Sequence, residues 1–234
     1  MKIAFNFDLN CDINDIIDRA KKISKKVADD ISADVESIRE RDPAARSNAE
    51  VLLLYPGLHA VISHRIAHFL YKKQLFFIAR AVSQASRTIT GIEIHPAANI
   101  GRALFIDHGS AVVIGETSVI GDNCTIYQGV TLGGTGKHTG KRHPTIGDNV
   151  MIGAGAKVLG PIKVGDNSKI AAGAVVLKNI PANSTAVGIP AKVVKSFDKR
   201  MEYNLDQINI PDPVAQELTA LKQRIEELEK KLEE

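Results

Sequence analysis

An aliphatic residue recurs every six positions along much of this chain. The series runs Ile94, Ile100 and Ile106, then Ile114, Ile120, Ile126 and Leu132, then Ile146, Ile152, Val158, Val164, Ile170 and Val176. Glycine often follows it, at Gly101, Gly115, Gly121, Gly147, Gly153 and Gly165. A small or aliphatic residue stands four positions on, as at Ala98, Ser118, Cys124, Val130, Val150, Ala156, Ile162, Ser168 and Ala174. A helix of about 3.6 residues per turn drifts against a period of six and cannot keep it on one face. A solenoid with three short flat sides per coil keeps it, one aliphatic pointing inward from each side. The pattern predicts a left-handed parallel β-helix rather than an irregular glycine-rich β domain. Its glycines are expected at turns, where positive φ or close backbone approach is needed.

The flanks follow other periods. Ile13, Ile16, Ile17, Ile23, Val27, Ile31, Val35 and Ile38 recur at helical spacing. Asp42-Pro43 and Pro56-Gly57 break that pattern, because the residue before proline leaves the α region. Leu58, Val61, Ile62, Ile66 and Leu70 mark a further helix, and Leu75 to Val82 another. Near the end, Val214, Leu218, Leu221, Ile225, Leu228 and Leu232 alternate spacings of four and three, the seam of a short coiled coil. The reading is an α+β chain: a helical domain over 1–90, the β-helix over 91–195, a linker over 196–213 and an amphipathic helix over 214–234. The coiled coil is expected to join as many chains as the solenoid assembles.

The beat breaks twice. From Ile106 to Ile114 the step is eight, so two extra residues sit beside Asp107, His108 and Gly109. From Leu132 to Ile146 it is fourteen, which inserts eight residues within Gly133 to Pro144. Solenoids accept insertions as loops on one face, and such loops carry function. Both breaks bring histidine and charge into a chain that otherwise reads as scaffold.

A net charge of +3 argues against nucleic acid as a partner. Lys21, Lys22, Lys25 and Lys26 read as the solvated face of a helix. The two cysteines, Cys11 and Cys124, make no disulfide framework, and Cys124 falls on an inward position of its repeat. The absence of a signal-peptide pattern and of a long apolar run leads to the expectation of a soluble cytoplasmic protein with no membrane partner.

Several segments resemble the serine O-acetyltransferases. They are Glu93-Ile94-His95-Pro96-Ala97-Ala98, Asp107-His108, Leu132-Gly133-Gly134-Thr135-Gly136-Lys137, Arg142-His143-Pro144, Met151 to Lys157 and Val187-Gly188-Ile189-Pro190-Ala191. The helical part joins them through Arg41-Asp42-Pro43-Ala44, Gly57-Leu58-His59-Ala60 and Arg65-Ile66-Ala67-His68. The resemblance spans roughly residues 32 to 195. It implies acetyl transfer from acetyl-CoA to the hydroxyl of L-serine, the first step of cysteine synthesis from serine, with no metal.

By that resemblance His108 is the general base. Glu93 stands where the family usually carries an orienting Asp, and is one methylene longer. Asp42 and Asp107 match residues that hold the amino group of serine. Arg142 and His143 match those near its carboxylate and the reacting centre. Gly134, Thr135, Ala154 and Ala172 match backbone positions beside the pantetheine arm, and Lys192 and Lys195 are candidates for the phosphates. The resemblance also implies a homotrimer or a dimer of trimers, with His108 and His143 meeting across a subunit boundary. Family members often end in an isoleucine that docks into O-acetylserine sulfhydrylase. This chain ends Leu232-Glu233-Glu234, which predicts weak or no binding to that enzyme. Two rival readings change the chemistry. One replaces serine by a sugar or amine acceptor. The other gathers His108, His138 and His143 into a zinc site like that of the γ-type carbonic anhydrases.

Overall fold

The computed structural model describes residues 28–136, 139–196 and 213–233. The apolar run from Ile13 to Val27, Cys11, the lysines at 21–26, Lys137, His138 and most of the 196–213 linker lie outside those residues.

Four described helices precede the first strand: α1 (28–41), α2 (Asn48–Leu54), α3 (Pro56–Lys72) and α4 (Phe76–Thr90). Ser47 caps α2 by accepting the Glu50 backbone N–H at 3.1 Å. Gly91 closes α4 in the left-handed conformation, φ 72°, and donates its N–H to Arg87 at 2.8 Å. A final helix, α5 (Pro213–Glu233), follows the linker, and its Leu218, Leu221, Ile225 and Leu228 are exposed. Among the described residues no helix is long and apolar enough to cross a membrane.

Between them runs a solenoid of very short strands. One side stacks β1 (Glu93–Ile94), β4 (Val113–Ile114), β7 (Thr131–Gly133), β10 (Lys157–Leu159) and β13 (Val175–Val176). A second stacks β2 (Asn99–Ile100), β5 (Val119–Ile120), β8 (Thr145–Ile146) and β11 (Lys163–Val164). The third stacks β3 (Phe105–Ile106), β6 (Thr125–Ile126), β9 (Met151–Ile152), β12 (Lys169–Ile170), β14 (Ser184–Val187) and β15 (Lys192–Ser196). Along each side the strands pair in parallel, up to β12 with the strand three further on and then β12 with β14, and β15 turns back antiparallel on β14. This is the left-handed parallel β-helix that the six-residue beat predicts.

Register reads the insertions directly. Lys157 lies opposite Val175, eighteen residues on, an uninterrupted coil. Glu93 lies opposite Val113, twenty on, and Thr131 opposite Lys157, twenty-six on. The two and eight extra residues are thus looped out without disturbing the ladder. The beat residues are buried in one continuous core, with only Ile100 left partly covered. Cys124 is a free, fully buried thiol in that core, and burial pushes it up to about 12.

One corner separates the two roles expected of glycine. The glycines that follow the beat residues do not carry positive φ. The left-handed backbone there belongs to Asn123, Asn149, Asn167 and Asn183, at φ 57°, 55°, 56° and 55°. Asparagine tolerates that region, and its amides form a ladder: Asn149 Nδ2 donates to Asn167 at 3.2 Å and Asn167 Nδ2 to Asn183 at 3.0 Å. The preceding glycines serve close approach instead.

Polar contacts dock the helices onto the first coils. Asp34 of α1 is buried, and its carboxylate takes Arg65 of α3 at 2.6 Å and the backbone N–H of Ala103 at 3.1 Å. Burial raises the Asp34 carboxyl, and the Arg65 charge opposes that shift. Arg41, at the end of α1, donates to the Cys124 carbonyl at 3.1 Å. Ser83 of α4 donates to the Ile94 carbonyl at 2.6 Å.

Candidate active site

The first break in the beat is a strained turn. His108, Gly109 and Ala111 all have positive φ, at 57°, 71° and 59°. Left-handed backbone at a non-glycine residue costs about 1–3 kcal/mol and concentrates at functional sites. The turn throws the His108 ring outward, 74% exposed, with Nε2 3.9 Å from Asp107 Oδ1. Burial raises the Asp107 carboxyl, His108 lowers it, and the nearby Asp42 raises it again. Asp42 comes from the α1–α2 break, which the Arg41 contacts pin to the third side of the solenoid. Tyr55, just before α3, donates to Asp42 Oδ2 at 2.7 Å. Burial and the Asp42 bond push this phenol up to about 12. Asp42, Tyr55, Asp107 and His108 therefore form one group: two carboxylates beside an open imidazole.

The second break builds another group. Arg142 pairs with Glu116, and that ion pair holds the Glu116 carboxyl below its ordinary range. His143 is buried, with Nδ1 facing Thr117. Burial, Arg142 and Lys141 lower its pKa, and Glu116 raises it. His95 shares this field; burial and Arg80 lower it, and it also feels Glu116, Arg142 and Glu93. Glu93 itself lies 3.5 Å from Arg80 and 3.3 Å from Arg87 of α4.

Within one chain, then, the structure brings Asp42, Asp107 and His108 together, and separately brings Arg142 and His143 together. Glu93 falls beside the second group. Its ion pairs among the described residues are with arginines, and the carboxylate neighbour of His108 is Asp107. Sequence reading did not single out Tyr55, Glu116, Thr117, Arg80 or Arg87. Tyr55 was visible only as the residue before a helix-breaking Pro-Gly. Thr117 and Glu116 fall between beat positions, and their partners lie 25 or 26 residues away.

The candidate cofactor positions fall after β7, after β9 and β12, and on β15. Gly134 is exposed and borders Arg142 and His143, while Thr135 is exposed beside Gly160. Ala154 and Ala172 sit one coil apart, the Ala154 carbonyl accepting from Gly173 at 2.8 Å, and Ala172 is exposed. Lys192 is exposed on β15. Lys195 lies on the same strand, outside the residues whose side chains are described. His68 Nδ1 is 2.8 Å from the Pro96 carbonyl, so the His64/His68 pair serves packing. Among the described residues no cluster of three or more His, Cys, Asp or Glu is arranged to hold a metal ion.

A helical layer docked on a parallel β-helix, with imidazoles and carboxylates in its inserted loops, defines a hexapeptide-repeat acyltransferase. Two repeat families match accordingly: bacterial transferase hexapeptide (six repeats) over residues 143–178 and hexapeptide repeat of succinyl-transferase over 111–134. The family serine acetyltransferase, N-terminal, matches residues 8–63. The serine acetyltransferase of Staphylococcus xylosus is 55% identical over 205 residues, 88% of this chain and 93% of that protein. A serine acetyltransferase of Neisseria gonorrhoeae solved in complex with serine is 45% identical, with a TM-score of 0.71 over 73% of this chain and 70% of that one. A serine acetyltransferase solved in complex with CoA is 42% identical, with a TM-score of 0.70 over 76% of this chain and 74% of that one. The chain belongs to the serine acetyltransferase family.

Proposed function

We propose that this protein transfers the acetyl group of acetyl-CoA to the hydroxyl of L-serine, giving O-acetyl-L-serine and CoA for cysteine synthesis. The observation that carries this reading is the grouping of Asp42 and Asp107 around His108. An acceptor with an ammonium beside its hydroxyl suits two carboxylates flanking a base. Family relatives crystallised with serine and with CoA support the same pair of substrates.

In the proposed step His108 takes the serine hydroxyl proton as the oxygen attacks the thioester carbonyl. The tetrahedral adduct collapses and expels the CoA thiolate, which receives the proton from the imidazolium. Asp42 and Asp107 hold the ammonium, and Arg142 holds the carboxylate, exchanging Glu116 for substrate. Gly134, Thr135, Ala154 and Ala172 border the pantetheine arm, and Lys192 with Lys195 meets the phosphates. No metal takes part.

The two groups meet between copies of a homotrimer, acting in the cytoplasm. Glu93 acts on His95, which also feels Glu116 and Arg142 of the second group, and on this reading the carboxylate that orients His108 comes from the neighbouring copy together with His143. A dimer of trimers is the larger assembly in view, and Leu53, Leu54 and Phe77, exposed by 68%, 71% and 86%, offer apolar surface for it.

The test is CoA release from acetyl-CoA, read with a thiol reagent, using L-serine, homoserine, glucosamine or no acceptor, beside His108→Ala. Serine-dependent release that collapses in the variant supports the reading. Release that prefers glucosamine, or that survives in His108→Ala, sinks it.

A further inference from the structure

We propose that Thr117 and Gly115 are positioning residues that hold His143 as a neutral imidazole with its proton on Nε2. His143 then gives a hydrogen bond to a negatively charged oxygen of the reactants and takes no proton from them. The role at the reactants rests on the site reading above; the tautomer does not.

The argument starts from Thr117, whose polar groups all serve the second loop. Its backbone N–H donates to His143 Nδ1 at 3.1 Å. A main-chain amide only donates, so Nδ1 must present a lone pair. Thr117 Oγ1 lies 2.9 Å from the same nitrogen. That oxygen already accepts the backbone N–H of Arg142 at 3.0 Å and of His143 at 3.0 Å. With both lone pairs engaged, its own hydrogen is left to point at Nδ1. The Thr117 carbonyl takes Lys141 Nζ at 2.6 Å. Two donors on Nδ1 leave Nε2 as the protonated nitrogen.

Gly115 makes room for that edge of the ring. A Cβ at Gly115 would stand 2.0 Å from His143 Cδ2 and 2.1 Å from Nε2. A Cβ at Gly134 would stand 3.2 Å from Nε2. Two bare glycine backbones thus border Nε2, and no described residue accepts from it. The charged groups around the ring, Arg142, Lys141, His95 and Glu116, leave a net downward pull once burial is added, so the ring stays neutral.

This divides labour between the two histidines. His108 stands exposed on its left-handed turn beside a carboxylate, suited to receive a proton. His143 is buried and plugged at Nδ1, suited to a fixed donor whose dipole is set before reaction.

The experiment uses the full-length enzyme with ¹⁵N-labelled histidine, His143 being assigned from the spectrum of His143→Gln. The expected spectrum has an acceptor-type Nδ1 and a protonated Nε2 that persist below about pH 6.5, where free imidazole charges. A protonated Nδ1, or an imidazolium at neutral pH, overturns the proposal. Thr117→Ser keeps the hydroxyl and should keep both spectrum and rate. Thr117→Val removes one donor and two acceptors' worth of contacts, and should lower kcat by about tenfold. His143→Gln puts an amide donor near Nε2, so it should lose less kcat than His143→Ala and keep the acid limb of the kcat/KM profile. Loss of that limb in His143→Gln would make His143 a base and overturn the donor role. Wild-type rates in His143→Ala would remove His143 from the reactants altogether, whatever tautomer the spectrum reports.

Discussion

Tyr55 and Asp42 share a 2.7 Å hydrogen bond, from the phenol to Oδ2, while Oδ1 accepts the Ala44 backbone N–H at 2.8 Å. The carboxylate is thereby fixed at both oxygens before any substrate arrives. The phenol is pushed up to about 12 and stays a donor throughout the working range. Tyr55→Phe removes one hydrogen bond to a charged group, about 1.5 kcal/mol. The expected result is a rise in KM for serine of about tenfold with a much smaller change in kcat, since Asp42 acts on binding. Steady-state kinetics with serine varied would check it; an unchanged KM would remove Asp42 from the serine site.

Gly57 opens α3 against β3. A Cβ there would lie 2.1 Å from the Ile106 carbonyl oxygen, which is backbone and cannot step aside. Gly57→Ala should push the start of α3, and Tyr55 with it, away from Asp107. Overpacking of this kind costs about 1–3 kcal/mol. A lower melting temperature together with a reduced kcat/KM for serine is expected. An unshifted melt would mean that α3 does not rest on this contact.

His64 is buried on α3 with no hydrogen-bond partner on Nδ1, and burial with the neighbouring His68 lowers it to about 3. The unfolded chain regains an ordinary histidine value of about 6.5. Between those values the unfolded state binds a proton that the folded state refuses. Stability is therefore intact above about pH 6.5 and falls as the pH drops toward 3, by up to about 1.4 kcal/mol per pH unit from this group. His95 and His143 are lowered as well and act in the same direction. His64→Gln should flatten the acid slope seen in urea melts at stepped pH. An identical slope would assign the acid sensitivity elsewhere.

The β-helix was legible because its constraint is local: every sixth side chain must fill the same core, and residues such as Ile126 and Leu132 declare it one by one. The insertions were legible for the same reason, as changes in step that reappear as twenty- and twenty-six-residue coils. Corner chemistry was read less well. Of the two roles expected for the glycines after the beat, positive φ or close approach, they serve close approach, and the left-handed backbone sits on the asparagine column, whose amide ladder has no signature in a single repeat. His108, Asp107, Asp42, Arg142 and His143 came from motifs. Their supports did not, because Tyr55, Glu116 and Thr117 act on residues 13 to 26 positions away, brought close by the helical turn before α3 and by the coil. The surroundings of Glu93 were hidden likewise: Arg80 and Arg87 reach it from α4, across the helix–solenoid contact.

The seam on α5 carries its own charge pattern. With Leu218 and Ile225 at one core position and Leu221 and Leu228 at the other, Glu217 and Lys222 fall on flanking positions, as do Arg224 and Glu229. In a parallel, in-register bundle each pair brings opposite charges of neighbouring chains together. Leu218, Leu221, Ile225 and Leu228 are 61%, 56%, 54% and 49% exposed in the single chain, apolar surface left for copies to cover. Leu221→Asp with Ile225→Asp should lower the mass seen by sedimentation velocity at dilute concentration. An assembly unmoved by both changes would leave α5 outside the oligomer.

The strongest test of the shared site mixes two inactive chains. His108 lies in one polar group, and Glu93 lies apart from it, against Arg80 and Arg87 and acting on His95 beside the other. If each working site takes His108 from one copy and Glu93 from the next, His108→Ala and Glu93→Gln are complementary. Every mixed trimer then contains one site built from two intact halves. Random assembly from equal amounts, after unfolding and refolding together, should recover about a quarter of wild-type activity, since about three-quarters of trimers are mixed and each has one good site in three. The same reasoning predicts recovery with His143→Ala in place of Glu93→Gln. A chain carrying both His108→Ala and Glu93→Gln, refolded with an equal amount of wild type, should spoil two sites per copy and leave about a quarter of wild-type activity, against about a half if each site lay within one chain. If Glu93 instead served the His108 of its own chain, the His108→Ala and Glu93→Gln mixture would recover nothing, because every His108 that survives would sit on a chain lacking its carboxylate. Activity near a quarter supports the shared site, and activity at the level of the separate variants overturns it.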